Sequence, residues 1–188
     1  MIKRELYMNR IRPFIGGELI KVMTGIRRSG KSVMLELIKE ELAEAGVAPS
    51  QMISINFEDM RYSHLQTATA LHDEIIKRAE GIEGKAYLFF DEIQEVEGWE
   101  KCVNSLRVAL DCDIYITGSN AKLLSGELAT YIGGRYVEFV IYPFSFAEFL
   151  ELYHTIAPSD SIQQCFQKYL LAGGMPYLAN LRYEEEPS

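Results

Sequence analysis

The sequence predicts an α/β fold in which a parallel sheet is covered by helices on both faces. Three observations carry this expectation. Short apolar, β-branched runs alternate with segments of helical periodicity along most of the 188 residues. One of these runs, Ala86–Phe90, is continuously apolar, as a strand buried on both faces requires. A glycine-rich phosphate-loop pattern, Gly25-Ile-Arg-Arg-Ser-Gly30-Lys31-Ser32, stands between the first strand pattern and the first helix pattern.

Taken in order, residues 19–24 (LIKVMT) predict the first strand, ended by Gly25. A helix is expected over residues 31–45, with Met34, Leu35, Ile38, Leu42 and Ala45 on one face and Gly46 as its stop. Residues 52–57 (MISINF) predict the second strand. Residues 67–79 predict a helix with Leu71, Ile75 and Ala79 as its stripe. The third strand is expected at 86–90 and a further helix at 99–110, with Val103, Leu106 and Leu110 inward. Residues 114–117 and 136–141 predict the fourth and fifth strands. From Ser145 the periodicity is helical again, first with Phe146, Phe149 and Leu150, then with Ile162, Phe166, Tyr169 and Leu170.

Composition is that of a folded globular chain: 48% hydrophobic and 24% charged residues, with 14 Gly and only 6 Pro. The net charge of −8 argues against a dedicated nucleic-acid binder, whose footprint would be basic. That charge is uneven. Residues 1–39 hold nine basic and three acidic side chains, a local +6, so the remainder carries −14. The cysteines Cys102, Cys112 and Cys165 show no CxxC spacing and are expected to be reduced core thiols. No apolar run approaches the roughly 20 residues of a membrane span, and the N-terminus lacks a signal-peptide apolar core. A soluble, cytoplasmic protein with no membrane partner is expected.

The phosphate-loop pattern explains itself chemically. Gly25 and Gly30 let the backbone amides of Ile26, Arg27, Arg28 and Ser29 turn toward phosphate oxygens. The helix opening at Lys31, Ser32 and Val33 presents unpaired amides and a positive dipole end to the same anion. Lys31 supplies a point charge for β- and γ-phosphates, and the Ser32 hydroxyl is a ligand for Mg²⁺. The side chains of Arg27 and Arg28 have three possible directions: solvent, nucleotide or a partner.

Sixty residues beyond Lys31, the third strand ends in Asp91-Glu92, an arrangement that resembles a Walker B element. Asp91 would organise Mg²⁺, and Glu92 would polarise the water that attacks a γ-phosphate. The fourth strand ends in Thr117-Gly118-Ser119-Asn120, small polar residues placed to contact that phosphate or position the water. Ser119 and Asn120 are both candidates, and turn capping accounts for the same pair equally well. Glu58, at the end of the second strand, is either a regulator of Glu92 or a solvated strand end.

With these motifs in order, the chain resembles the AAA+ ATPases, and within them the prokaryotic family related to archaeal-type and STAND NTPases. The resemblance rests on Arg4-Glu5-Leu6-Tyr7, the phosphate loop, Ile55-Asn-Phe-Glu-Asp59, Phe90-Asp-Glu-Ile-Gln94 and Thr117-Gly-Ser-Asn120. It continues through Gly134-Arg135, Pro143-Phe-Ser-Phe-Ala-Glu-Phe149 and Gly173-Gly-Met-Pro176.

The resemblance implies a three-layer P-loop NTPase with a five-stranded parallel sheet of order 5-1-4-3-2. It implies a nucleotide-binding core over residues 1–143 and a helical lid over 144–188, with ATP and Mg²⁺ as cofactors. It further implies that Arg135 meets a nucleotide, commonly that of a neighbouring subunit, so that a homo-oligomer is expected. Gly174-Met-Pro176 is similar to the G-x-P element of the STAND branch, which places Pro176 at the nucleotide. Tyr7 and Arg12 would border the adenine. Family members usually continue into a C-terminal domain associated with nucleic acid or protein partners, so the biological output is expected outside these residues. Two functions fit: hydrolysis of ATP that drives an attached effector, and a nucleotide-gated interaction switch with negligible turnover.

Overall fold

Five runs rich in β-branched and aromatic residues pair side by side in parallel. The computed structural model describes residues 2–119, 132–156 and 159–176. Strands β1 (Ile20–Thr24), β2 (Met52–Asn56), β3 (Ala86–Asp91), β4 (Cys112–Thr117) and β5 (Tyr136–Val140) form one sheet of order β2-β3-β4-β1-β5. This is the expected order 5-1-4-3-2 read from the other edge. All four pairings are parallel, with Val22 opposite both Ile116 and Glu138, and Leu88 opposite both Ile53 and Ile114. Each strand boundary lies within two residues of its expected place.

Because side chains alternate across a strand, the sheet carries two cores. On one face Ile20, Val22, Ile55, Leu88, Phe90, Ile114 and Ile116 pack against α3 (Ala68–Ala79) and α4 (Trp99–Ala109) through Leu71, Ile75, Val103 and Leu106. On the other, Met23, Phe89, Tyr115, Phe139 and Ile141 pack against α2 (Lys31–Glu44) through Met34, Leu35, Ile38 and Leu42. Phe89 and Tyr115 stack there with ring centroids 4.9 Å apart. Ala45, expected on the α2 stripe, is exposed, because the helix ends at Glu44. Thr67 serves as the N-cap of α3, its hydroxyl accepting from the Ala70 amide.

The second core has a further wall that the sequence pattern did not announce. Helix α1 (Glu5–Ile11) buries Tyr7, Met8 and Ile11 beside α2. Seven residues make too short a helix to persist alone, so packing on the core holds it in place. Several of the early basic residues pair with acidic groups of the fold. Arg12 pairs with Glu5 and Glu41, Lys21 with Asp113, and Arg4 with Glu148.

Beyond β5 the chain forms α5 (Phe146–Ile156) and α6 (Ile162–Ala172), which pack on each other around Phe149, Tyr153 and Cys165. Ser161 caps α6 in a box with Gln164. The apolar stripe expected on α6 is only partly buried. The Phe166 ring meets Phe146 edge-on at 5.0 Å, whereas Ile162 and Leu170 are 63% and 67% exposed. The inward residues are Cys165 and Tyr169, since α5 covers one side of the helix only.

Gly174 is where this helical pair closes on the sheet. Its carbonyl accepts from the Phe144 amide at 2.6 Å, and a β-carbon at Gly174 would sit 2.1 Å from the Phe144 carbonyl oxygen. That oxygen also accepts from the Tyr169 hydroxyl at 3.0 Å, so it has little room to retreat. Gly174→Ala should therefore lower stability by about 1–3 kcal/mol, as overpacking does. Urea unfolding checks this, and a variant as stable as the parent would contradict the contact. Among the described residues no helix is long and apolar enough to cross a membrane.

Candidate functional site

The C-terminal ends of parallel strands converge on one edge of the sheet, where α/β proteins place their ligands. Here the ends of β1, β3 and β4 bring the phosphate loop, the acidic pair and Thr117 together. The loop leaves β1 at Gly25, whose φ of +148° is disfavoured for residues with a side chain. Pairing also continues past β5, with the Ile141 amide donating to Thr24. As a result a β-carbon on residue 25 would lie 2.2 Å from the Ile141 carbonyl oxygen. Only glycine fits.

Lys31 opens α2 and is 4% exposed. Its ammonium donates to the carbonyls of Gly25 and Ile26 at 3.4 and 3.3 Å, and lies 3.5 Å from the Glu92 carboxylate. These are long contacts for a buried cation, and an anion entering the loop would compete for it. Among the described residues the Ser29 hydroxyl, buried in the loop, has no hydrogen-bond partner, a costly arrangement for a polar atom.

Asp91 ends β3 and is 6% exposed. Thr117 donates a short hydrogen bond to one carboxylate oxygen, and Asn56 donates to the other at 3.1 Å. Burial pushes the Asp91 carboxyl above its ordinary value, although hydrogen bonds from Thr117 and Ser32 pull it down. The same Thr117 oxygen accepts from the Glu92 amide at 3.0 Å, so the end of β4 fixes both acidic residues. Glu92 itself has φ +55° and ψ +47°, a left-handed conformation uncommon outside glycine and associated with functional sites. Gln94 donates to its carboxylate at 2.5 Å.

A cleft of about 470 Å³ is lined by Arg27, Arg28, Gly30, Lys31, Ser32, Val33, Glu58, Glu92 and Pro176. Most of the expected phosphate-loop residues, Glu92 and Pro176 thus line one cleft, and Asp91 lies buried beside it, hydrogen-bonded to Thr117 and Ser32. A carboxylate and a hydroxyl linked through Asp91 and Ser32 form an oxygen donor set suited to a hard divalent cation. Among the described residues no group of three or more His, Cys, Asp or Glu is assembled as a metal cluster.

Other expected residues lie elsewhere. Arg135 immediately precedes β5, its carbonyl accepting from Ile20 at the start of β1, and its guanidinium donates to Asn104 at 3.1 Å. It therefore stands at the opposite end of the sheet from the cleft. Tyr7 accepts from the Tyr142 amide and Arg12 is engaged by acidic partners, so neither lines the cleft. Glu58 does line the cleft, but its carboxylate faces Arg27 at 3.6 Å rather than Glu92. Asn120 lies outside the described residues. Two contributors were not identified from sequence: Asn56, which completes Asp91, and Arg4, whose guanidinium donates to the Ser29 carbonyl of the loop. Asn56 sits within the Ile55–Asp59 stretch, but its partner lies on another strand.

Comparison with known proteins agrees with this geometry. A family model described as AAA domain matches residues 18–150. The chain belongs to this AAA domain family.

The strand order and phosphate loop of this AAA domain are those of a P-loop NTPase, and the family is one of AAA+ ATPases, which bind and hydrolyse nucleotides. An uncharacterized protein of Haemophilus influenzae is 44% identical over 176 residues, which is 94% of this chain and 44% of the relative. One of Methanocaldococcus jannaschii is 36% identical over 166 residues, covering 84% of the chain and 35% of the relative. The AAA domain thus spans less than half the length of these relatives. The Aeropyrum pernix Orc1 protein, solved in complex with DNA, matches with TM-score 0.59 at 17% identity, over 84% of this chain and 50% of that one. AMPPCP-bound DnaA from Aquifex aeolicus matches with TM-score 0.53 at 15% identity, over 97% and 65%. These two share the fold.

Proposed function

We propose that this AAA+ domain binds ATP with Mg²⁺, hydrolyses it, and uses the cycle to drive or gate an effector attached to it in a longer cytoplasmic protein. The observation that carries this reading is the convergence of Lys31, Ser32 and Glu92 on one cleft at the strand ends, with Asp91 hydrogen-bonded to Ser32 beside it.

The loop amides from Gly25 to Val33 and the start of α2 receive the β- and γ-phosphates, and Lys31 leaves the Gly25 and Ile26 carbonyls to meet them. Ser32 and Asp91 would hold a Mg²⁺, which would neutralise charge developing on the phosphates. Glu92 orients the attacking water and takes its proton. The γ-phosphate contact is assigned to Ser119 or Asn120, the polar residues that follow Thr117 in the sequence. Arg135 is separated from its own chain's cleft by the length of β1, roughly 16 Å for five residues. That separation supports a role toward a neighbouring copy's nucleotide, in a homo-oligomer whose turnover depends on assembly. Nucleic acid or protein partners would be engaged by the remainder of the longer protein.

Lys31→Ala should weaken MgATP binding on the order of 100-fold, the loss of a charge-assisted contact worth up to about 3 kcal/mol. Titration calorimetry measures this, and unchanged affinity would overturn the assignment of the cleft.

A second reading is favoured by Pro176. It lines the cleft, with its Cγ 3.9 Å from where a β-carbon on Gly30 would lie. In the STAND-like arrangement such a proline reports the nucleotide to the lid, and the domain acts as a switch with negligible turnover. Hydrolysis rate per subunit, followed against protein concentration, separates the two: a rising rate supports the assembling ATPase, and a flat rate near zero with tight binding supports the switch.

A further inference from the structure

Arg4 is a buried and extensively engaged side chain outside the expected site. It is 2% exposed and sits just before α1 in a left-handed backbone conformation, φ +46° and ψ +48°, which a non-glycine residue rarely adopts. Its guanidinium reaches three separate parts of the fold. Nη1 donates to the Ser29 carbonyl of the phosphate loop at 2.9 Å. Nη2 donates to the Tyr142 carbonyl, where the chain leaves the sheet, at 2.8 Å. Nε donates to the Glu148 carboxylate in the first turn of α5 at 2.8 Å. The guanidinium is also held against the rings of Tyr7 and Phe144, at 4.6 and 5.2 Å from their centroids.

The Glu148 carboxylate does a second job. It accepts from the Ser145 amide and hydroxyl at 2.9 and 3.0 Å, which fixes the entry into α5. Burial alone would raise this carboxyl, but the Arg4 guanidinium and the Ser145 amide hold it below the usual range. From Phe144 the connection runs through Gly174 to Pro176, back at the cleft. Loop and helical pair are therefore joined twice, through Arg4 and through Pro176, which both approach the loop at Gly30.

We propose that Arg4 is the positioning residue that couples the phosphate loop to the helical lid, so that nucleotide in the cleft and the placement of α5 bias one another. The proposal rests on the reading of the cleft as an ATP site. Entry of phosphate draws Lys31 off the Gly25 and Ile26 carbonyls and resets the loop. The Ser29 carbonyl is anchored on Arg4, so that movement passes through the guanidinium to Glu148 and the first turn of α5. Coupling of this kind is reciprocal: what MgATP does to the lid, the lid does to MgATP affinity. An arginine is needed because one rigid fork serves a carboxylate and two carbonyls at once, which a lysine ammonium on a flexible stem does not reproduce.

The test is hydrogen–deuterium exchange of residues 146–156 and 162–172, with and without MgATP, in the full chain and in Arg4→Lys and Glu148→Gln. Both replacements are mild, and Glu148→Gln leaves Arg4 its two carbonyl partners should Arg4→Lys fold poorly. The unsubstituted chain is expected to show a nucleotide-induced change in both helices, reduced at least fivefold in each variant. MgATP affinity in the double variant should match that of the single ones rather than the product of their losses. A full lid response in folded Glu148→Gln, or no response in an unsubstituted chain that binds MgATP, overturns the coupling alone. Failure of the unsubstituted chain to bind MgATP at all would remove the site reading and the coupling with it.

Discussion

Glu92→Gln is expected to retain MgATP binding while hydrolysis falls by roughly 10²- to 10⁴-fold, the range for losing a general base. The exchange conserves shape and the hydrogen bond with Gln94, and removes the charge that can take a proton from water. Binding should hold or tighten. In the free protein Lys31 lies 3.5 Å from Glu92, and neutralising that carboxylate releases the ammonium for phosphate. The left-handed backbone at Glu92, braced by the Thr117 hydroxyl through its amide, keeps position 92 in place whichever side chain it carries. Phosphate release in single-turnover conditions is the measurement. Hydrolysis within tenfold of the parent would assign the base to another residue.

The largest expected effect on stability lies at the other end of the sheet. Lys21 and Asp113 are fully buried and paired to each other. Asp113 also accepts from the Gly16 amide and the Tyr115 hydroxyl, each at 2.7 Å, and Lys21 donates to the Gly17 carbonyl at 3.1 Å. Burial pulls the Lys21 ammonium below its ordinary value, opposed by the Asp113 charge. Removing one partner leaves an uncompensated charge and several orphaned donors, so Asp113→Ala should cost about 3–5 kcal/mol. For a domain of this size that lowers Tm by about 6–20 °C. Asp113→Asn, which keeps acceptors for Gly16 and Tyr115, should lose less. Thermal and urea unfolding of the two variants check the ranking. A loss below about 1 kcal/mol for Asp113→Ala would mean that the pair contributes nothing to the fold.

The sites differ in how far they could be read from sequence. The phosphate loop was legible because its chemistry is local: Gly25, Gly30, Lys31 and Ser32 are consecutive parts of one turn between one strand and one helix. Asp91 and Glu92 were legible as the polar end of an apolar strand. Asn56 and Thr117, which hold Asp91, were not assigned that task, since each belongs to a neighbouring strand and meets Asp91 only through the sheet. Helix α1 was missed because it is short and gains its stability from the α2 face. On α6, periodicity marked an apolar stripe, but only packing against α5 decided which part of it is covered. The count of basic residues over 1–39 did not show where they go: Arg4 and Lys21 pair with Glu148 and Asp113 inside the fold, and Arg12 pairs with Glu5 and Glu41 at its surface.

By itself, then, the amino-acid sequence determined the alternation of strands and helices, the position of the phosphate loop and the acidic pair after β3. Those features depend on periodicity and on turn chemistry within a few residues. Tertiary structure alone decided that Arg4 meets Glu148, that Lys21 meets Asp113 and that Pro176 returns to the loop. Such pairs lie tens to more than a hundred residues apart in the chain, and only the order of strands and the docking of α1 and α5 bring their side chains together.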